Sequence, residues 1–163
     1  MEAHDPVFRL VILCTGNTCR SPLAAAAIRE ELGPDAKKVD LVSAGTAAAD
    51  GQPASAGSRE AAAGSGVDLS AHRSRRASAD LVRGADLILV MEPEHARAAQ
   101  SLGADPRRVH VLSEWPDPGE PALAVSDPFG GSKEAYEECW RRIRHHVRRI
   151  VPRVREELRA RSA

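Results

Sequence analysis

Residues 10–22 constrain the fold of this 163-residue chain more than any other segment. They begin with a short run of apolar, strand-forming residues and continue through the turn-prone triplet Thr15-Gly16-Asn17. They end in Ser21-Pro22, a pair typical of a helix start, with Ser21 as the expected N-cap. The segment therefore predicts a strand, a tight loop and the first turn of a helix. Cys14 stands at the end of the predicted strand, and Arg20 lies just before the helix.

This arrangement predicts a binding site for a phosphate group. The N–H groups of such a loop point inward, and the N-terminus of the following helix attracts negative charge. Arg20 adds a planar guanidinium that fits phosphate in a bidentate geometry. The same field favours a thiolate at Cys14, which becomes a nucleophile aimed at phosphorus. The expected chemistry is phosphoryl transfer through a phosphocysteine, with the phosphate held by Thr15, Gly16, Asn17, Thr18, Cys19 and Arg20.

The same residues also fit two other interpretations. A cysteine and an arginine at this spacing also fit a buried cysteine at a strand end and an unrelated surface charge. The presence of Gly16, Asn17, Ser21 and Pro22 in a strand–loop–helix context favours the phosphate site. A nucleotide-binding loop is disfavoured, because no Gly-Lys-Ser/Thr sequence ends the loop.

The whole-chain composition indicates an ordinary single domain, residues 1–163, with a loose leader at residues 1–6. Its 23 basic and 23 acidic residues cancel, so neither nucleic acid nor an anionic membrane is the expected partner. No apolar run approaches the ~20 residues of a membrane span. Three cysteines without a paired framework suit a reducing cytoplasm, and a monomer is the default expectation.

The apolar periodicity predicts alternating strands and helices. Strands are expected at residues 8–13, 39–43, 86–91 and 109–112, and helices at 22–32, 58–63, 78–83, 93–102 and 132–161. The third strand is the most apolar after the first and is expected at the centre of the sheet. Pro152 is expected to kink or break the last helix. Such alternation predicts a parallel, doubly wound α/β sheet that binds ligands at the carboxyl ends of its strands, where Cys14 stands.

Residues 14–22, Cys-Thr-Gly-Asn-Thr-Cys-Arg-Ser-Pro, resemble the active-site loop of the low-molecular-weight protein tyrosine phosphatases. Residues 43–46, 85–91 and 127–129 have counterparts in the same order, so the resemblance covers nearly the full length. It implies a three-layer α/β fold in which helices flank a four-stranded parallel sheet, with the phosphate-binding loop after the first strand. It also implies a phosphatase of phosphorylated proteins. No cluster of metal-ligating residues is evident in the sequence, so neither a metal nor a cofactor is expected.

The Pro- and Gly-rich loop at residues 113–131 offers two candidate general acids, Asp117 and Asp127. On chemistry alone, either carboxyl could protonate the leaving group. The acid of the family stands in an Asp-Pro-aromatic sequence just before the last helix, which Asp127-Pro128-Phe129 matches and Asp117 does not. The resemblance therefore implies that Asp127 protonates the leaving group and later activates water. Phe129 and Thr18 are expected to line the substrate pocket.

Several supporting roles are also expected. The Ser21 hydroxyl could hydrogen-bond the Cys14 thiolate. The resemblance implies that Asn17 holds the loop in shape with His72 among its partners, although His72 beside three arginines also suits a solvated histidine. It further implies that Cys19 can form a reversible disulfide with the nucleophile, the alternative being a packed loop residue. Residues to which no catalytic role is assigned are Cys139, His4, His95, His110, His145 and His146.

Two departures from the common family pattern concern the substrate. Many tyrosine phosphatases of the family carry a bulky aliphatic residue at the position of Thr18 and an aromatic residue in the loop that here reads Ala-Ala-Ala-Asp at 47–50. Residues 14–19, Cys-Thr-Gly-Asn-Thr-Cys, and residues 127–132, Asp-Pro-Phe-Gly-Gly-Ser, are instead similar to the protein arginine phosphatase branch. In that branch the loop threonine discriminates for the phosphoguanidinium group, and the acid aspartate also engages it. The sequence therefore favours phosphoarginine, with phosphotyrosine as the alternative.

Two further functions are disfavoured by particular residues. A thioredoxin-linked arsenate reductase relays oxidation through two additional cysteines, and the sequence has none between Cys19 and Cys139. A non-catalytic phosphate-binding or redox-sensing module is expected to have lost the nucleophile, the arginine or the acid, and all three are present.

Overall fold

Parallel strands form the middle layer of the protein. The computed structural model describes residues 7–118 and 124–162, so the predicted leader at residues 1–6 and residues 119–123 of the predicted long loop lie outside the described residues. Within that part of the chain the strands are β1 (Phe8–Cys14), β2 (Val39–Gly45), β3 (Leu87–Val90) and β4 (Val109–Val111). Their order is β2-β1-β3-β4 and each neighbouring pair is parallel. The predicted four-stranded parallel sheet is confirmed, with β3 as an inner strand.

Five α-helices connect and cover these strands within the described ranges. They are α1 (Arg20–Leu32), α2 (Ala56–Ala63), α3 (Ala79–Arg83), α4 (Pro93–Ser101) and α5 (Lys133–Ser162). The side chains of Ser55 and Ser78 accept hydrogen bonds from N–H groups in the first turns of α2 and α3, which fixes where these helices begin. Short 3-10 segments that periodicity did not predict occupy Gly33–Lys38, Pro106–Arg108 and Leu112–Glu114.

Alternate side chains of β1 divide the core into two halves. Leu10 and Ile12 pack in the cluster formed with α1, α2 and α5, whereas Val11 and Leu13 pack in the cluster formed with α3 and α4. All four side chains are fully buried, and each such burial contributes about 1.5–3 kcal/mol. The predicted three-layer α/β arrangement is therefore confirmed.

The start of α1 differs from the sequence prediction. The helix begins at Arg20 rather than Pro22, and its N-cap is Cys19, which makes no side-chain capping hydrogen bond. Ser21 is therefore the second helical residue and not the predicted cap. Pro22 is tolerated at the third position because an N–H there has no partner within the helix. The early start makes Arg20 part of the rigid helix.

A kink or a break was predicted at Pro152. The break is wrong, because α5 runs unbroken from Lys133 to Ser162, and the kink stays a prediction. Pro152 itself is exposed, but Val151 and Val154 on either side are fully buried against the core. A proline inside a helix costs about 3 kcal/mol through its missing N–H and the clash of its ring. Burial of the apolar face on both sides of the proline holds the helix together against that cost.

Candidate active site

Cys14 is the last residue of β1, so its side chain lies at the carboxyl end of a central parallel strand. Its Sγ atom is 2.9 Å from Oγ of Ser21 and 3.3 Å from the backbone N of Asn17. When the sulfur is ionised, the hydroxyl and the N–H can both donate to it. These two donors lie where they can bind an ionised sulfur, beside the N-terminus of α1.

Asn17 organises the loop between β1 and α1. It is fully buried with φ of 57°, a conformation that asparagine adopts more readily than most residues. Its Nδ2 donates to Ser21 Oγ at 2.7 Å and to Ser43 Oγ at 3.0 Å, while its Oδ1 accepts from the backbone N of Arg75 at 2.9 Å. Its carbonyl oxygen accepts from His72 Nε2 at 2.7 Å. Every polar group of the side chain thus fixes the shape of the loop.

His72 is half-buried rather than freely solvated. Burial is the largest of the effects that lower the pKa of His72, and the nearby Arg73 charge acts in the same direction. The neutral ring with its proton on Nε2 is the form that donates to the Asn17 carbonyl. The expected placement of Asn17, Ser21 and His72 around the loop is therefore what the structure has, and their functional roles remain predictions.

Gly45 allows β2 to approach the loop closely. A Cβ atom at this position would lie 2.5 Å from the carbonyl oxygen of Thr15 and 2.9 Å from the backbone N of Asn17. The adjacent N–H of Thr46 donates to the carbonyl of Cys14 at 2.9 Å, and that of Ala47 donates to Thr15 at 3.0 Å. Only glycine permits this contact, which gives a physical reason for the Ser-Ala-Gly-Thr sequence at residues 43–46.

The Arg20 guanidinium is 2% exposed and lies among acceptors. Its Nη1 donates to the carbonyl of Val125 at 3.2 Å and is 3.2 Å from Oε2 of Glu92. Its Nη2 is 3.9 Å from Oδ2 of Asp127. The guanidinium is therefore held in one orientation beside the loop between β1 and α1. Its partners come from residues 125–127 and from Glu92 after β3.

A cavity of about 220 Å³ opens at this loop. It brings together the three predicted catalytic residues and the predicted pocket residues, since its lining is Cys14, Thr15, Gly16, Thr18, Cys19, Arg20, Asp127 and Phe129. A larger cavity of about 380 Å³ lies elsewhere, lined by Ser43, His72 and Arg75 among others, and includes none of residues 14–20. The smaller cavity is the one lined by the predicted catalytic residues.

The two candidate acids occupy different places. The carboxylate of Asp127 is about half exposed at the cavity, and its Oδ1 accepts from the backbone N of Phe129 at 3.1 Å. Asp117 is exposed, does not line the cavity, and its backbone carbonyl accepts from Arg149 at 3.3 Å. Of the two, only Asp127 lines the cavity beside Cys14.

Cys19 is buried, and hydroxyl groups surround its thiol. Its Sγ donates to Ser55 Oγ at 3.3 Å and lies 4.0 Å from the Tyr136 hydroxyl. All three cysteines are free thiols in this structure. The predicted reversible disulfide between Cys14 and Cys19 remains a prediction.

Comparisons with known proteins show the family to which the chain belongs. The family model of the low molecular weight phosphotyrosine protein phosphatases matches residues 9–160. The chain belongs to this family. A relative in Ralstonia nicotianae, described as "Probable low molecular weight protein-tyrosine-phosphatase EpsP", is 35% identical over 90% of this chain and 95% of its own length. A protein-arginine-phosphatase of Geobacillus stearothermophilus is 30% identical over 93% of this chain and 96% of its own.

A solved structure of the YwlE arginine phosphatase superposes with a TM-score of 0.85 at 28% identity, covering 93% of this chain and 99% of that one. That structure is a mutant in which serine replaces cysteine, and its active-site serine is described as phosphorylated. The family is one of protein phosphatases, and this chain is a protein phosphatase by the same match. No helix in the described ranges has the length and hydropathy needed to cross a bilayer.

The sequence predicted no role for two residues that lie beside the candidate site, Glu92 and His95. Glu92 follows β3 at the carboxyl edge of the sheet and pairs with Arg20. His95 is only 2% exposed, and its Nε2 lies 2.9 Å from Oγ1 of Thr15. No role had been assigned to His95. Glu92 lies shortly after β3 and His95 lies in the first turn of α4, at the edge where parallel sheets bind ligands. That position in the sequence does not show which strand lies beside β1.

Proposed function

We propose that this phosphatase is a cysteine-dependent enzyme that hydrolyses phosphoarginine in proteins through a phosphocysteine intermediate. The observation that carries the proposal is the convergence of Cys14, Arg20 and Asp127 on one cavity. A nucleophile, a fixed cation and an acid around one site are the groups that phosphoryl transfer through a covalent intermediate requires.

In the first step the Cys14 thiolate attacks phosphorus and forms an S–P bond. The bond from phosphorus to the leaving nitrogen breaks, and Asp127 gives its proton to that nitrogen. In the second step a water molecule attacks phosphorus, its proton passes to Asp127, and the thiolate leaves. Arg20 and the loop N–H groups hold the phosphoryl oxygens in both steps, while Ser21 and Asn17 donate to the sulfur. The products are inorganic phosphate and the unmodified arginine side chain of the substrate protein, and the enzyme returns to its starting state.

The similarity to the YwlE structure supports the covalent step. In that relative the active-site serine that replaces a cysteine is phosphorylated. Transfer of the phosphoryl group to a side chain at the corresponding place supports the proposal that Cys14 accepts it here.

Three observations support phosphoarginine as the substrate. Thr18, and not a bulky aliphatic residue, lines the cavity. Residues 47–50 provide no aromatic wall for a tyrosine ring. The side chain of Asp127 lies beside Arg20 and lines the cavity, where a carboxyl oxygen can accept a hydrogen bond from a guanidinium N–H of the substrate. The 30% identical arginine phosphatase is consistent with this assignment.

Phosphotyrosine is the alternative substrate, and one structural observation favours it. Phe129 lines the cavity with 74% of its surface exposed, so its ring is available to stack on an aromatic leaving group. The relative described as a tyrosine phosphatase is also 35% identical.

We expect the Thr18→Ile variant to decide between the two substrates. The larger apolar side chain removes a hydroxyl and narrows the site for the polar guanidinium. It should therefore lower kcat/KM on a phosphoarginine peptide by about tenfold or more, corresponding to ~1.4 kcal/mol, while sparing a matched phosphotyrosine peptide. The measurement is kcat/KM for both peptides with the wild type, Thr18→Ile and the hydroxyl-retaining control Thr18→Ser. A wild type that prefers phosphotyrosine, with a ratio indifferent to Thr18→Ile, would contradict the assignment.

Chelation should leave the activity unchanged. Within the described ranges, no group of three or more His, Cys, Asp or Glu side chains could hold a metal ion. The proposed steps use only a thiolate, a carboxyl group and fixed donors. We expect equal rates before and after incubation with excess EDTA. A loss of rate that added Mg²⁺ or Zn²⁺ restores would contradict the metal-free mechanism.

The remaining assignments are also proposals. The substrates are phosphorylated proteins, and the balanced charge of 23 basic and 23 acidic residues supports no role for nucleic acid. The three free thiols support a reducing cytoplasm as the location. A monomer remains the expected oligomeric state, and sedimentation of the purified chain would test it.

A further inference from the structure

The side chain of Thr15 makes a contact that the loop mechanism does not use. Its Oγ1 lies 2.9 Å from His95 Nε2, and the residue itself lines the cavity beside Cys14. No other described residue forms a hydrogen bond with this hydroxyl. If Thr15 donates this hydrogen bond, its hydroxyl proton is used; if Thr15 accepts it, the proton is available for another acceptor.

The other nitrogen of the imidazole fixes that direction. The backbone N–H of Glu92 donates to His95 Nδ1 at 3.1 Å, so Nδ1 must carry a lone pair and not a proton. In the neutral ring the proton then resides on Nε2, which donates to Thr15. The Oε2 atom of Glu92 is 3.9 Å from Nε2, too far to compete as the acceptor.

The charges around the imidazole support its neutral form. Burial is the largest effect and lowers the pKa of His95, and the Arg20 charge acts in the same direction. Carboxylates that act in the opposite direction are Glu92, Glu94 and Asp127. A second proton would have to enter at Nδ1, where it would face the N–H of Glu92. The backbone contact at Nδ1 therefore opposes protonation of this ring.

We propose that the Thr15 hydroxyl, held by His95, donates a hydrogen bond to an oxygen of the bound phosphoryl group. Because Thr15 accepts from His95, its own proton is available, and the cavity is the place where an acceptor arrives. Thr15 is thus an additional phosphate-binding side chain, and His95 is its positioning residue. The inference rests on the proposed function, since it assigns a donor to the same bound group.

The first test is the affinity for inorganic phosphate, measured by calorimetry, because binding does not require turnover. Thr15→Val keeps the branched shape and removes the hydroxyl. A hydrogen bond to a charged group is worth about tenfold or more in affinity, so we expect the phosphate Kd of Thr15→Val to rise by that factor. Thr15→Ser keeps the donor and should stay within about threefold of the wild type.

A double-mutant cycle tests the link between Thr15 and His95. His95→Gln retains an N–H near the position of Nε2 and should keep most of the affinity. His95→Leu removes the donor and should weaken phosphate binding in the wild-type background, with little further effect in the Thr15→Val background. Additive losses in the two backgrounds would overturn the positioning role. Melting curves identify any variant that fails to fold.

The tautomer of His95 provides a test without mutation. Imidazole ¹⁵N shifts of the wild-type protein should show a protonated Nε2 and an unprotonated Nδ1 at neutral pH. The opposite tautomer would overturn the proposal, because Thr15 would then have to donate to His95 and would have no proton for phosphate. Unchanged phosphate affinity in Thr15→Val would overturn it as well. In either case the proposed function would stand if the wild type hydrolyses phosphopeptides. If the wild type is inactive but its Thr15 and His95 variants bind phosphate more weakly as expected, the proposed function is contradicted and the role of Thr15 is not.

Discussion

The Cys14→Ser variant is expected to lose turnover while keeping the wild-type fold. Serine is close to cysteine in size, and its hydroxyl can use the same partners, Ser21 and the N–H of Asn17. The donors beside the sulfur are too weak to ionise a serine hydroxyl, so attack on phosphorus slows. A serine that does become phosphorylated, as in the YwlE mutant, is a much poorer leaving group than a thiolate in the second step, so turnover is lost. We expect kcat to fall on the order of 10⁴-fold or more, with little change in the thermal midpoint. Steady-state hydrolysis of p-nitrophenyl phosphate and a melting curve measure the two quantities.

Cys139→Ala is the matched control for Cys14→Ser. Burial raises the pKa of Cys139 to about 12, so this thiol stays protonated, and it does not line the cavity at the loop. We expect this variant to retain activity close to that of the wild type.

Intact mass after rapid quenching should show one added phosphoryl group in the wild type during turnover. Substantial turnover by Cys14→Ser would contradict the covalent mechanism.

The parts of the site that lie within residues 10–22 could be predicted from the sequence. A strand, a loop with Gly16 and Asn17, and a helix start are short-range features that local propensities encode. The resemblance added Asp127 and His72, which lie far from the loop in the sequence. The structure places both of them at the loop or its cavity.

The misassigned N-cap shows where local signals fail. Ser21 followed by proline is a strong local signal for a cap, but its hydroxyl bonds to Cys14 and Asn17 instead. Of the two roles expected for this hydroxyl, the bond to Cys14 is present and the cap is absent. Packing overcomes the local signal at Pro152, because buried neighbours kept α5 continuous.

Glu92 and His95 could not be placed because the order of strands is not encoded locally. The sequence shows that β3 is apolar, but not that it pairs with β1. That pairing brings the end of β3 beside the cysteine loop and the N-terminus of α4 beside Arg20 and Thr15. Glu92 and His95 become candidates for the site only once β3 is known to be the neighbour of β1.

The second large effect is expected for Asp127→Ala, and its size should depend on the leaving group. A general acid contributes about 10²–10⁴-fold when the departing atom needs a proton. Phosphoarginine and phenyl phosphate have poor leaving groups, so their hydrolysis should slow by a factor in that range. The nitrophenolate of p-nitrophenyl phosphate leaves far more readily without protonation, and its release should slow much less.

Asp117→Ala is the matched control, because it changes the other Asp-Pro pair of the same loop. Asp117 is exposed and does not line the cavity, whereas the Asp127 carboxylate lies 3.9 Å from Arg20. We expect Asp117→Ala to behave as the wild type on all three substrates. Equal losses in the two variants would mean that the general acid is not Asp127. A loss in Asp127→Ala that is the same for good and poor leaving groups would instead show that this carboxylate positions Arg20 or the substrate and does not transfer the proton.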